Sequence, residues 1–292
     1  MKKILSKIDG VWALALCSLL WSTGGLLIKF INASSFSIAG MRSFIALAVF
    51  MLVLRRPPVW FVKNSYGAVD RRATFFMWLA GICYSATMIL YCMANKLTTA
   101  ANTILLQYTN PVYIILFGPL ILGEKNSKKD YFTAAGVIAG IILFFAGDVQ
   151  GGNLQGNVLA ALSGVTFGFC TIFMRIQKAG GSQNSFMIAH FLTACFGLPF
   201  AVAQGGLHDG KSVAAIFAIG IFQMAFATLL YSKGIARVKA LSASIISMIE
   251  PLMNPVWVMI FAGEVPSLTC IIGGVIILGC ILLREAIKTP QS

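Results

Sequence analysis

Charge is scarce in this chain. Of its 292 residues only 11% are charged, nine of them acidic, and histidine occurs twice, whereas soluble domains carry about 25% charged residues. So few charges cannot clothe a water-exposed globular surface, and a mean hydropathy of +0.86 points to a membrane protein. Paired metal or redox cysteines are also missing. The seven cysteines (Cys17, Cys83, Cys92, Cys170, Cys195, Cys270 and Cys280) lie inside apolar runs, with no C-x-x-C and an odd total. A disulfide or zinc framework is therefore not expected. H-E-x-x-H, G-x-S-x-G and a paired-aspartate cluster are absent, so an intramembrane enzyme has little support. No cofactor or metal is called for, and no loop is long enough for a soluble catalytic domain.

What the chain has instead is apolar runs. Crossing ~30 Å of hydrocarbon takes roughly 20 residues at 1.5 Å each. Ten segments fit, at about 11 to 31, 36 to 54, 73 to 95, 98 to 122, 131 to 147, 156 to 176, 184 to 204, 212 to 233, 239 to 262 and 267 to 284. A barrel needs dyad alternation, which runs such as Ile141-Ile142-Leu143-Phe144-Phe145 contradict, so the expected fold is all-α. The first segment follows Lys2 and Lys3 but is too long for a signal peptide, and it reads as an uncleaved span.

The net charge of +13 sits in the short gaps. With the N-terminus in the cytoplasm, eighteen of the 22 Lys and Arg fall inside: Lys2, Lys3, Lys7, Arg55, Arg56, Lys63, Arg71, Arg72, Lys125, Lys128, Lys129, Arg175, Lys178, Lys233, Arg237, Lys239, Arg284 and Lys288. Only Lys96 and Lys211 fall outside, while Lys29 and Arg42 lie within or at the margin of spans. Both termini are thus expected in the cytoplasm, and the basic excess reads as positive-inside bias rather than nucleic-acid binding.

Segments about 140 residues apart resemble each other. Asn110-Pro111 precedes Gly123-Glu124 as Glu250-Pro251 precedes Gly263-Glu264, thirteen residues apart in both, and Tyr91 matches Tyr231 at the same offset. Lys29 matches Arg175 near the ends of spans 1 and 6. The chain divides into residues 1–150, holding spans 1 to 5, and 151–292, holding spans 6 to 10. Five being odd, the second copy enters the bilayer inverted, an arrangement suited to alternating access.

These features, with Trp21 in span 1 and Arg42 in span 2, resemble the EamA-type transporters of the drug/metabolite transporter superfamily. The resemblance implies an inverted 5+5 fold, a central cavity lined mainly by spans 1, 3, 4, 6, 8 and 9, and movement of small metabolites. It departs at Asn110, where Glu-Pro would be favoured in both halves, so a symmetric two-carboxylate mechanism is not expected.

Glu250 is the only carboxylate deep in a span, where insertion costs about 2.5 to 3.5 kcal/mol and calls for a role or partner. It is a candidate proton carrier or ligand for a cationic substrate; hydrogen bonding to the backbone freed by Pro251 is the plainer reading. Ser247, Glu250, Asn254 and Trp257 share one helical face. Pro251 and Pro255 remove backbone donors, freeing carbonyls near Ser247 and Pro251. Span 4 offers Thr103, Gln107, Asn110 and Tyr113 on a similar face. Span 3 offers Tyr84, Thr87 and Tyr91, and span 8 offers Gln223 and Tyr231. Trp21 adjoins the flexible Ser22-Thr23-Gly24-Gly25. Each tyrosine alone reads as readily as packing, and convergence would make a site.

Arg42 either snorkels or pairs with Glu250 or a substrate carboxylate. His190 is a candidate titrating group, and Lys29 is expected at the outer interface, reaching water. Gly136-x-x-x-Gly140 and Gly164-x-x-x-Gly168 favour close helix packing within the bundle or a dimer, leaving monomer and homodimer open. Residues 205 to 212 match G-x-x-x-x-G-K-[ST], but between two membrane helices, with no preceding strand, the match is a decoy.

The expected protein is a secondary carrier in a bacterial cytoplasmic membrane. It works with the lipid bilayer, a small metabolite and protons as the possible coupling ion. Export of amino acids or related compounds rests on the resemblance. Import of an organic cation or other nutrient is the alternative, ahead of a channel.

Overall fold

The computed structural model describes residues 9–63, 66–123, 127–148, 154–177, 182–234, 246–247 and 249–286. Among them the only extended pairing is one isolated bridge between Lys63 and Val69; the rest of the regular structure is helical. In chain order the helices are α1 (Gly10–Ser22), α2 (Gly24–Lys29), α3 (Ser35–Leu54), α4 (Arg71–Leu97), α5 (Ala100–Gln107), α6 (Asn110–Leu122), α7 (Lys128–Asp148), α8 (Leu154–Ile176) and α9 (Ser182–Ala203). Then come α10 (Gly210–Ala218), a π-helical segment (Ile219–Phe226), α11 (Ala227–Gly234), α12 (Ile249–Ala262) and α13 (Leu268–Ala286).

Among the described residues, seven helical stretches are long and apolar enough to cross a membrane: Gly10–Lys29, Ser35–Leu54, Arg71–Leu97, Ala100–Leu122, Leu154–Ile176, Gln183–Ala203 and Gly210–Tyr231. Ile249–Ala262 and Leu268–Cys280 are shorter apolar helices, and Lys128–Asp148 is a helix of 21 residues. Glu124 and eight basic residues of the expected inner set (Lys2, Lys3, Lys7, Lys125, Lys178, Arg237, Lys239 and Lys288) lie outside the described residues.

The ends are set by local chemistry. Ser34, Asp70 and Thr99 accept hydrogen bonds from the N–H of Ser37, Ala73 and Asn102, capping α3, α4 and α5. Gly123 and Gly263 follow α6 and α12 with φ of 72° and 69°, the left-handed geometry that lets glycine close a helix.

The bundle is apolar outside, and its apolar core holds a set of buried polar side chains. Leu52, Leu120, Phe132, Val202 and Val265 are exposed, while Ser18, Ser43, Thr103, Asn157 and Ser163 are buried. Small and hydroxylated residues join the helices, as expected where lipid offers no hydrophobic gain. Thr87 meets Thr166 across α4 and α8, and Ser85 meets Thr193 across α4 and α9, each at 2.7 Å. Asn157 accepts from Thr98 at 2.8 Å and from Asn102 at 3.2 Å.

Both glycine pairs act inside the bundle. A Cβ on Gly140 would fall 2.7 Å from Ile277 of α13, and one on Gly164 would fall 3.0 Å from the carbonyl of Gln107. The closest backbone-to-backbone approach among the described glycines is between α3 and α9, where a Cβ on Gly40 would lie 2.6 Å from the Gly197 Cα.

The helix contacts follow a pattern. α4 packs on α8 as α11 packs on α1, α9 on α4 as the π segment on α3, and α5 and α6 on α8 as α12 on α1. The pairs α3 with α9, α7 with α13 and α5 with α12 also pack on one another.

Candidate functional site

Three irregularities meet inside the bundle. The first span is not one helix, because Ser22 and Thr23 donate their hydroxyls back to the Leu19 and Leu20 carbonyls, each at 2.7 Å. Such back-bonding competes with the helical ladder, and Gly24-Gly25 restarts the helix. The fourth span is likewise interrupted at Tyr108–Thr109. There Thr109 donates to the Leu106 carbonyl at 2.6 Å, and Pro111 opens α6 at a position where its missing N–H costs nothing. The Gly210–Tyr231 stretch carries the π segment, with Gln223 in it. Broken membrane helices and π segments are recurrent features of binding sites.

The first break is a meeting point. A Cβ on Gly24 would lie 2.7 Å from Gln223 Nε2, and one on Gly25 would lie 2.8 Å from Asn254 Oδ1. Only glycine lets both amides approach the chain here. Trp257 Nε1 donates to Ser22 Oγ at 2.9 Å, and Trp21 lies over Tyr231 with ring centroids 5.3 Å apart. Asn254 is fully buried, and neither of its amide atoms has a hydrogen-bond partner; the same holds for Gln223 Oε1. These groups can donate to and accept from a ligand.

The second break serves Glu250. Tyr108 donates to its Oε2 at 2.8 Å, and the same phenol lies 3.2 Å from the Ser247 carbonyl. That carbonyl is free because Pro251, four residues on, has no N–H to offer it. Tyr84 and Tyr91 lie within electrostatic reach of both Glu250 and Arg42, and Tyr91 stands beside Asn254. Cys17 of α1 also lies near Glu250.

Most of the expected residues thus converge. Trp21, Tyr84, Tyr91, Gln223, Tyr231, Ser247, Glu250, Asn254 and Trp257 belong to one neighbourhood, with Ser247 contributing its carbonyl. Gln107, Asn110 and Tyr113 do not continue a single polar face, because the break at Tyr108–Thr109 interrupts it. Their carbonyls or Cβ pack on Gly164 and Gly168 of α8 instead. Arg42 does not snorkel. It is 1% exposed, donates through Nη2 to the Met88 carbonyl at 2.9 Å, and forms no ion pair with Glu250. His190 is buried beside Phe50 and Tyr84, with neither ring nitrogen hydrogen-bonded.

Lys29 remains partly exposed, as an interfacial lysine would be, and it also has protein partners. Its Nζ pairs with Glu264 at 2.7 Å, the only ion pair among the described residues, and donates to the Thr98 carbonyl at 2.9 Å. Glu264 also accepts from the Ala100 N–H at 3.2 Å. One charge pair therefore ties the ends of α2, α4 and α12 to the start of α5.

The decoy loop is fully used by the fold. Asp209 caps α10 by accepting from the Ser212 N–H at 2.7 Å, and its bonds to the Ser212 side chain and backbone hold its carboxyl below the usual range. Ser212 Oγ accepts from the Asn32 N–H, and Lys211 sits over the Phe30 ring at 4.0 Å.

Comparison with known proteins fits this architecture. A solved crystal structure aligns with a TM-score of 0.63 at 19% identity, covering 95% of this chain and 96% of the other. An uncharacterized transporter of Archaeoglobus fulgidus is 25% identical over 94% of this chain and 96% of its own. The pseudopaline exporter CntI of Pseudomonas aeruginosa is 23% identical over 96% of this chain and 97% of its own. Human solute carrier family 35 member G1 is 26% identical over 61% of this chain and 50% of its own. The sequence profile of the EamA-like transporter family matches twice, over residues 8–146 and 154–284. The chain is a multi-pass membrane protein of the EamA-like transporter family, a transporter and not an enzyme.

Proposed function

We propose that this protein is a secondary active carrier that moves a small organic metabolite across a bacterial cytoplasmic membrane by alternating access. Its ten spans form two inverted five-helix halves, residues 1–150 and 151–292, with both termini in the cytoplasm. Two observations support the halves: the family profile matches once in each, and the main helix contacts recur when the halves are exchanged. An inverted pair of similar units can swap packings and present one central site to each side in turn.

The observation that carries the reading is the Tyr108–Glu250 hydrogen bond at the break between α5 and α6. A carboxylate within the bundle, held by one phenol and in no ion pair among the described residues, is positioned to exchange a proton or a substrate cation. Export of amino acids or related compounds follows from the sequence resemblance, and the relative CntI is named an exporter. Import of an organic cation is the second reading, favoured by Glu250 among aromatic rings.

Proteoliposomes test the proposal. Uptake or counterflow of a metabolite panel, with and without a pH gradient, is expected to show substrate-driven proton movement, and Glu250→Gln is expected to abolish coupling. Normal coupling in a folded Glu250→Gln protein removes Glu250 from the mechanism, and absence of any flux removes the carrier reading.

A further inference from the structure

Among the described residues, one cation in this interior forms no ion pair. Arg42 is 1% exposed, and after Nη2 bonds the Met88 carbonyl its Nε and Nη1 are buried with no partner. The single ion pair among the described residues is elsewhere, at Lys29 and Glu264. An uncompensated guanidinium inside a membrane bundle marks a place where an anion is received. Delocalised charge with several fixed donors suits an oxyanion, above all a carboxylate.

Two of its neighbours are shared with Glu250. Tyr84, Tyr91, Cys92 and His190 lie within electrostatic reach of Arg42. Two of these, Tyr84 and Tyr91, are within reach of Glu250 as well. His190 adds a fully buried ring with two unpartnered nitrogens. The two tyrosines of α4 therefore stand near a positive and a negative group that do not neutralise each other.

We infer that Arg42 is the receptor for an anionic group of the transported molecule, a carboxylate or comparable oxyanion, with Tyr84 and Tyr91 packing the body of the ligand between Arg42 and Glu250. This rests on the carrier reading of the same chamber and narrows it. A molecule that is only a cation leaves Arg42 unpaired and is repelled by it, so the substrate carries negative charge, alone or beside a positive group.

The test uses purified full-length protein and matched probes: a panel of amino acids, hydroxy acids and dicarboxylates, each as free acid and as methyl ester, with choline as a pure cation and chloride as an inorganic anion. Binding is read by thermal shift and titration calorimetry. In the wild type, at least one acid is expected to bind ten-fold or more tightly than its ester. Arg42→Gln is expected to erase that ratio, while Arg42→Lys retains part of it. If Arg42→Gln fails to fold, the acid-to-ester ratio in the wild type and Arg42→Lys decides the matter.

Preference for the ester or for choline overturns the inference, as does an acid that binds Arg42→Gln as tightly as the wild type. Binding of chloride alone, with no acid bound, overturns it too and leaves an inorganic anion site. Proteoliposome flux of the same panel separates the two claims: transport of an acid with KM unchanged in Arg42→Gln leaves the carrier standing and removes the receptor. No transport of any probe, with none bound, removes both.

Discussion

Two polar regions lie buried in this bundle, and they are built on opposite terms. Along the seam where α4 meets α8 and α9, hydroxyls and an amide find partners: Thr87 bonds Thr166, Ser85 bonds Thr193, and Asn157 accepts from Thr98 and Asn102, while Asn95 of α4 and Asn184 of α9 are the exceptions. Around the candidate site the balance is reversed: Gln223 and Asn254 beside the Thr23 break, and Arg42 and His190 on the far side of Tyr84, keep buried polar atoms without partners. The same residue chemistry is spent mostly on cohesion in one place and held open in the other. A buried polar group left unsatisfied costs about 1 to 3 kcal/mol, so the candidate site is where stability is given up and the seam is where most of it is held.

The contrast can be attacked directly. The largest effect is expected from the double substitution Gln223→Leu and Asn254→Leu: flux falls at least ten-fold while thermal stability stays level or rises, because unsatisfied groups are removed. A drop in Tm as large as the loss in flux would mean that these amides belong to the seam's kind. Next, Lys29→Ala frees Glu264 and unties the ends of α2, α4 and α12. Cysteine labelling from the outer side is expected to rise several-fold in a protein that still folds, and unchanged labelling would reduce the pair to surface decoration.

Third, Thr87→Val breaks one seam bond and is expected to cost on the order of 0.6 kcal/mol, the average for hydrogen bonds between membrane helices. Transport should stay within two-fold of wild type, so a loss of flux there would dissolve the distinction. The smallest effect is expected at the loop that mimics a phosphate-binding motif. Lys211→Ala removes a cation–π contact worth roughly 0.5 to 1 kcal/mol and leaves flux unchanged, with or without nucleotide.

Much of this was legible in the residues. Hydropathy located the helices, Gly123 and Gly263 announced helix ends, and the two G-x-x-x-G pairs announced close packing. Pro251 announced the free Ser247 carbonyl. What stayed hidden has physical reasons. A two-residue break such as Tyr108–Thr109 vanishes in a window averaged over about twenty residues, and the π segment has no compositional mark. Pro111 did carry the signal, since proline favours the first turn of a helix, yet within a long apolar run it reads as an ordinary kink. Tyr108 was missed for the same reason: the 140-residue offset aligns Asn110 with Glu250, whereas the break brings forward the residue two positions earlier. The Lys29–Glu264 pair was hidden because its members are 235 residues apart in the chain.

The contact between Gly40 and Gly197 has a mechanical meaning. Where two helices touch backbone to backbone, with no side chain able to stand between them, they can rock about the point of contact but have no cushion on which to slide. In the proposed carrier cycle the pair would act as a fulcrum: were α3 to tilt against α9, displacement would be least at these glycines and would grow with distance along the lever. Arg42, two residues beyond Gly40, sits close to that pivot, so its charge would stay nearly still while the far ends of the helices swing.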